Sequence, residues 1–158
     1  MKNTIILLVE YLNRRWIKRE IELSESNTLE DLHDSIIYDS FGWDDPHMYS
    51  FFMDNVPFSR DAKMEYSSNP ESLLEIDGVM RKSPKTKLVQ IDLKIGQKFV
   101  FIFDFGDKHR FRITVKGFSE EKECDKYPKI LKKQGKAPEQ YYDEDDESEI
   151  VGEYNYEN

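Results

Sequence analysis

Apolar and polar residues alternate most clearly between positions 99 and 116, and this pattern predicts a β-hairpin. The apolar side chains recur at every second position on both strands: Phe99, Phe101, Phe103 and Phe105, then Phe111, Ile113 and Val115. A period of two puts these side chains on one face of a strand pair. A three-residue loop at 106–108 pairs Phe103 with Phe111 and keeps the apolar face intact. The same register sets Asp104 opposite Arg110. We therefore predict that this central hairpin anchors the core.

Other stretches predict a second hairpin, a helix and further short elements. Residues 3–12 and 15–23 alternate as two strands, and 47–53 as another. A helix is predicted over 27–41, where Asn27 and Glu30 form a capping box and Gly42 ends the helix. Its apolar residues follow helical spacing: Leu29, Leu32, Ile36, Ile37 and Phe41. Weaker patterns predict a short strand at 56–58, a strand or helical turn at 88–95 and a short helix from Pro128 to Lys133.

This order of elements predicts the α+β class. We expect an antiparallel or mixed sheet with one main helix, at about 27–41, packed across it. The length of 158 residues suits one domain, which we place at residues 1–138. Residues 139–158 are then an acidic, flexible tail.

Charge is divided unevenly along the chain. The net charge is −9, and residues 139–158 contain nine acidic residues and no Lys or Arg. The remaining 23 acidic residues (32 − 9) balance the 23 basic ones, so residues 1–138 have no net charge. A nucleic-acid-binding domain usually carries a basic excess, so nucleic acid is not the favoured partner. The acidic segment instead predicts binding to another protein, plausibly a basic one.

The cysteine content and the lack of targeting segments indicate the cellular compartment. Cys124 is the single cysteine, which excludes an intrachain disulfide and fits a reducing compartment. Neighbouring acidic residues disfavour it as a nucleophile. We find no secretory signal and no apolar stretch of the roughly 20 residues that a membrane helix needs. We expect a cytoplasmic protein with no membrane partner.

Ordered motifs across residues 3–140 resemble the plasmid pRiA4b ORF-3-like family. They comprise Thr-Leu-Glu-Asp-Leu-His at 28–33, the stretch from Phe41 to Phe51, Asp-Phe-Gly-Asp at 104–107 and Tyr-Pro at 127–128. The resemblance implies an α+β fold and a link to plasmids or insertion elements, but no established reaction. Three positions depart from the family pattern: His109 stands where members commonly have Trp, and Phe111 and Tyr49 stand where they have His.

Acidic and imidazole side chains near the predicted hairpin tip form the one candidate site. They are Asp45, His47, Asp104, Asp107 and His109, with Tyr49 nearby. If the strand at 47–53 lies beside the tip, these groups could hold Zn²⁺, Mn²⁺ or Fe²⁺, and the metal would activate water. Structural roles are the favoured alternative, with Asp104 paired to Arg110, Asp107 in a turn and His109 packed opposite Phe105. On that reading no cofactor is needed.

The sequence thus leaves three functional hypotheses. The leading one is a non-enzymatic interaction module that uses the 139–158 tail. The family resemblance implies that such a module could be an accessory of a plasmid or insertion element. The second is a metal-dependent hydrolase built on the Asp/His cluster. The third is nucleic-acid contact by Trp16 with the neighbouring cations Arg14, Arg15, Lys18 and Arg19.

Overall fold

Seven strands pair in one antiparallel sheet within residues 2–143, the part of the chain that the computed structural model describes. The strands are β1 Asn3–Tyr11, β2 Lys18–Ser24, β3 Tyr49–Phe52, β4 Glu65–Ser67, β5 Lys98–Phe103, β6 His109–Glu120 and β7 Lys129–Gln134. Their order across the sheet is β4-β3-β5-β6-β1-β2-β7. The two longest strands, β1 and β6, pair with each other and so join the two predicted hairpins, β1–β2 and β5–β6.

Helical segments between the strands are short. They are α1 Leu29–Asp34, which continues as a π-helical segment Ser35–Ser40, a 3₁₀ turn Ala62–Met64, α2 Leu74–Asp77 and α3 Leu88–Ile91. Thr28 caps α1, and its partner in the capping box is Asp31, one residue beyond the predicted pair Asn27 and Glu30. Gly42 follows the π-helical segment with a φ of +69°, a conformation that suits glycine.

The α+β prediction is wrong, because the described chain is mostly β-structure. The predicted helix at 27–41 is α-helical only over Leu29–Asp34 and continues with π-helical hydrogen bonding over Ser35–Ser40. Two strands, β4 and β7, lie in segments whose polar sequences gave no clear alternation. Residues 129–134 form β7 instead of the predicted helix, because the polar strand pairs with β2 at the sheet edge. Residues 56–58 are a turn, with Phe58 at a φ of +53°.

Core packing occurs mainly on one face of the sheet. Phe99, Phe101, Phe103 and Phe111 are fully buried there, as the central hairpin predicts. The helical segment contributes Leu29, Leu32, Ile36 and Ile37 to the same cluster. A smaller cluster on the opposite face contains Phe52, Val100 and Ile102, with Phe105 partly buried against it. Phe105 therefore leaves the face predicted for it.

The register of the central hairpin differs from the prediction by two residues. Phe103 pairs with His109 and Phe101 with Phe111, so residues 104–108 form the connection. Asp104 adopts a φ of +66°, and its Oδ1 accepts hydrogen bonds from the backbone N–H groups of Gly106 and Asp107, at 3.0 and 3.3 Å. A side chain that closes its own turn favours this longer loop. Because the shift is even, the same side chains still face the core.

Candidate functional site

The site forms where the tip of the β5–β6 hairpin meets the end of β1. Asp104 and His109 are buried at the two ends of the turn, with relative exposures of 7% and 3%, and Asp107 is exposed between them. One ligand atom from each of these three residues lies within 4.8 Å of the other two. We call Asp104, Asp107 and His109 the tip cluster. The predicted register paired Asp104 with Arg110. The described residues show no such ion pair.

His109 provides the most informative atom of the tip cluster. Its Nδ1 lies 2.8 Å from the hydroxyl of Tyr11, whereas its buried Nε2 has no hydrogen-bond partner among the described residues. Burial lowers the pKa of His109, and the charges of Asp107 and Asp104 raise it by less. The ring is therefore neutral near pH 7. A buried polar atom without a partner costs about 1–3 kcal/mol and calls for an explanation.

Tyr11 links His109 to the C-terminal part of the described chain. The Tyr11 and Tyr142 hydroxyls lie 2.9 Å apart, and the guanidinium of Arg14 lies 4.0 Å above the Tyr142 ring. One consistent arrangement has His109 Nδ1–H donating to Tyr11 and the Tyr11 hydroxyl donating to Tyr142. Nε2 of His109 then carries a lone pair, as a metal ligand must.

His47 and Asp45 border the tip cluster without joining it. His47 Nε2 lies 3.5 Å from Asp104 Oδ2 and 3.6 Å from Asp45 Oδ2. It also lies 2.7 Å from the hydroxyl of Tyr141, which donates to the Asp45 carboxylate. That hydrogen bond, helped by partial desolvation and the charge of Asp45, raises the pKa of Tyr141 to about 12. Of the five predicted ligands, three converge and two form this rim.

Residues 138–142 cross the rim and hold it in place. Trp43 Nε1 donates to the carbonyl of Pro138 at 2.8 Å, and the Gln140 side chain bonds both the N–H and the C=O of Asp45. The sequence did not predict that residues 138–142 cross the rim, and it assigned no role at the site to Tyr11 or Trp43. The adjacent aromatic pair at 141–142 was the only available signal.

The acidic tail is therefore described only at its start. Residues 139–143 lie beside the rim, and residues 144–158 fall outside the described part of the chain. The boundary at 138 and the binding role of the tail stay predictions. Trp16, the proposed base-stacking residue, is half-buried against the core.

Comparison with known proteins agrees with the sheet and with the motifs. A family model described as plasmid pRiA4b ORF-3-like protein matches residues 7–147. The crystal structure of MM3350, a protein of unknown function from Methanosarcina mazei Go1, superposes with a TM-score of 0.66 at 20% identity. The superposition covers 98% of this chain and 79% of that one, and at this identity it supports the fold alone.

No curated protein matches the chain. Within residues 2–143, no helix combines the length and apolar character needed to cross a bilayer.

Proposed function

The chain belongs to the plasmid pRiA4b ORF-3-like family, and we propose that this member binds a divalent metal ion through Asp104, Asp107 and His109 to hydrolyse its substrate. The observation that carries the proposal is the buried Nε2 of His109, which has no hydrogen-bond partner within residues 2–143 and belongs to a ring within reach of two carboxylates. A metal ion would give that nitrogen the partner it lacks.

Ligand chemistry supports a transition metal. Imidazole together with carboxylate oxygens suits Zn²⁺, Mn²⁺ or Fe²⁺. Ligand atoms bound about 2.0–2.2 Å from such an ion lie roughly 3–4 Å apart, so the cluster needs only a small contraction to bind one. Asp107 is exposed at the turn and can rotate to close that distance.

Support around the ligands also fits a metal site. A metal-bound histidine usually hydrogen-bonds through its other ring nitrogen, and Tyr11 holds Nδ1 of His109 in this way. The Oδ1 atom of Asp104 is fixed by two backbone N–H groups, which leaves Oδ2 facing His47. The ligand positions are therefore held before an ion arrives.

Three protein ligands leave coordination positions open, as in catalytic sites. A bound metal would act there as a Lewis acid that activates water. His47 lies beside Asp104 at the half-exposed rim, where its imidazole would help to position that water.

Metal titration of the full chain tests the proposal. We expect one equivalent of Zn²⁺ or Mn²⁺ to bind by calorimetry, with His109→Gln and Asp107→Asn each weakening the affinity at least about tenfold, or about 1.4 kcal/mol. Loss of a direct ligand removes a metal bond that water replaces poorly.

Two matched variants control for charge and folding. Asp92→Asn removes another exposed loop carboxylate, and His33→Gln removes another buried imidazole whose Nε2 also lacks a partner. Both should keep the wild-type affinity. No binding by the wild-type chain, or equal losses in all four variants, would overturn the metal site.

A further inference from the structure

A second feature near the hairpin tip is a cavity of about 460 Å³ with a basic lining. Its cationic side chains come from two loops and from β6: Arg15, Lys108, Arg110 and Arg112. Asp107 is the acidic residue of the lining, and Pro57 closes one side. Pockets of this size hold small molecules.

Within residues 2–143 these four cations lack acidic partners. Among the described residues, no carboxylate oxygen lies within 4 Å of their nitrogen atoms, whereas Arg81, Lys94 and Lys129 each form an ion pair. Arg112 instead donates from Nε to the amide oxygen of Asn55 at 3.3 Å. Four unneutralised cations around one cavity repel each other, and an anionic ligand would relieve that repulsion.

Asp107 connects the cavity to the tip cluster, because it belongs to both. Arg110 and Arg112 alternate with His109 and Phe111 along β6, so they point to the opposite face of the sheet. We propose that the cavity binds the phosphate group of a small phosphorylated molecule, with Asp107 as the residue that the cavity shares with the tip cluster. Binding of the phosphate group does not require the metal of the proposed function.

A small molecule fits better than a nucleic acid. The cations converge on one cavity, whereas a nucleic-acid surface carries its charge in an extended patch. The body of the protein has no net charge and the whole chain carries −9, which disfavours long polyanions. Arginine matches phosphate well, because its planar guanidinium donates two parallel hydrogen bonds.

Binding of inorganic phosphate and pyrophosphate to the full chain in EDTA tests the cavity without the metal. We expect saturable pyrophosphate binding by calorimetry that weakens at high salt. Arg110→Gln, at an exposed position, should weaken it at least about tenfold. Arg60→Gln removes an exposed arginine outside the cavity and should leave it unchanged.

Opposite effects of two variants separate this inference from the metal proposal. Asp107→Asn should lose metal affinity but keep or improve pyrophosphate binding in EDTA, because a repelling carboxylate is gone. Arg110→Gln should keep metal affinity.

Three outcomes would overturn the phosphate site. They are no pyrophosphate binding in EDTA, equal binding by the wild type and Arg110→Gln, and an Arg110-dependent preference for a DNA or RNA duplex over pyrophosphate. Metal binding without any phosphate binding would leave the metal proposal standing alone. Phosphate binding without metal binding would overturn the hydrolase and keep the cavity.

Discussion

His33 and His109 are both buried histidines, yet their surroundings differ in kind. Their relative exposures are 5% and 3%, each has Nδ1 hydrogen-bonded, and each has an Nε2 without a partner. Burial lowers the pKa of both rings. By burial, hydrogen bonding and protonation alone, the two residues would be judged equivalent.

Neighbouring side chains separate them. The His33 ring stacks on Tyr49 at 3.9 Å between centroids, and the rings of Phe101, Phe103 and Tyr38 surround it. Its carboxylate neighbour, Asp34, already bonds Nδ1. The His109 ring also contacts aromatic side chains, but two carboxylates of the hairpin turn lie beside it as well. An unpartnered imidazole becomes a candidate metal ligand only where further ligands converge on it.

The largest expected effect comes from removing the aromatic neighbour of His33. Tyr49→Ala should lower the free energy of unfolding by about 3 kcal/mol, because a large side chain packed in the core is lost. Urea denaturation measures this loss. Tyr38→Ala, at the 40% exposed ring on the other side of His33, should cost less than about 1 kcal/mol. Metal affinity should be unchanged in both variants. A loss of metal affinity in Tyr49→Ala would show that the surroundings of His33 also contribute to metal binding.

A smaller effect is expected at the hydroxyl that holds His109. Tyr11→Phe keeps the ring packed against Phe41 and Phe111 but removes the hydrogen bond to Nδ1. Metal affinity should fall about tenfold and stability by about 1 kcal/mol. Tyr142→Phe changes a hydroxyl one step further from His109 and should weaken metal binding less. If a metal titration shows a larger loss of affinity in Tyr142→Phe than in Tyr11→Phe, Tyr11 does not support His109 as a metal ligand.

The smallest effect is a pH dependence of stability. Burial lowers the pKa of His33 below its usual 6.5 in the folded protein, and the hydrogen bond and charge of Asp34 only partly offset this. The unfolded chain therefore binds more protons below about pH 6.5, so stability should fall as the pH drops through that value toward the folded pKa. His33→Gln in EDTA should show a shallower fall between about pH 7.5 and pH 5.5. An equal slope would contradict this contribution.

Strands with strong alternation were predictable, and strands without it were not. The central hairpin and the hairpin formed by β1 and β2 both follow from apolar residues at every second position, as at Phe99 and Phe101. The edge strands β4 and β7 were missed because their sequences are polar or short, and because pairing with β3 and β2 determines their conformation. The helix at 27–41 was predicted as a single α-helix, because the spacing of apolar residues does not reveal a change to π-helical hydrogen bonding after Asp34.

All five candidate ligands were identifiable from residue type, but their grouping was not. The predicted register paired Asp104 with Arg110. In the observed turn, Asp104 instead accepts hydrogen bonds from the N–H groups of Gly106 and Asp107. Tyr11 was missed because its position beside His109 depends on pairing between β1 and β6, which lie about 100 residues apart.

The sequence by itself determined which side chains share a face along β5 and β6, because successive residues of a strand point to opposite faces. It also placed Asp104, Asp107 and His109 at the tip of the central hairpin. The tertiary structure decided the register, the separation of the tip cluster from the rim, and the partners of each histidine. The register depends on the turn that Asp104 closes with its own side chain, which alternation alone does not reveal. The Tyr11 partner of His109 and the position of the rim depend on pairing between strands that are distant in the sequence.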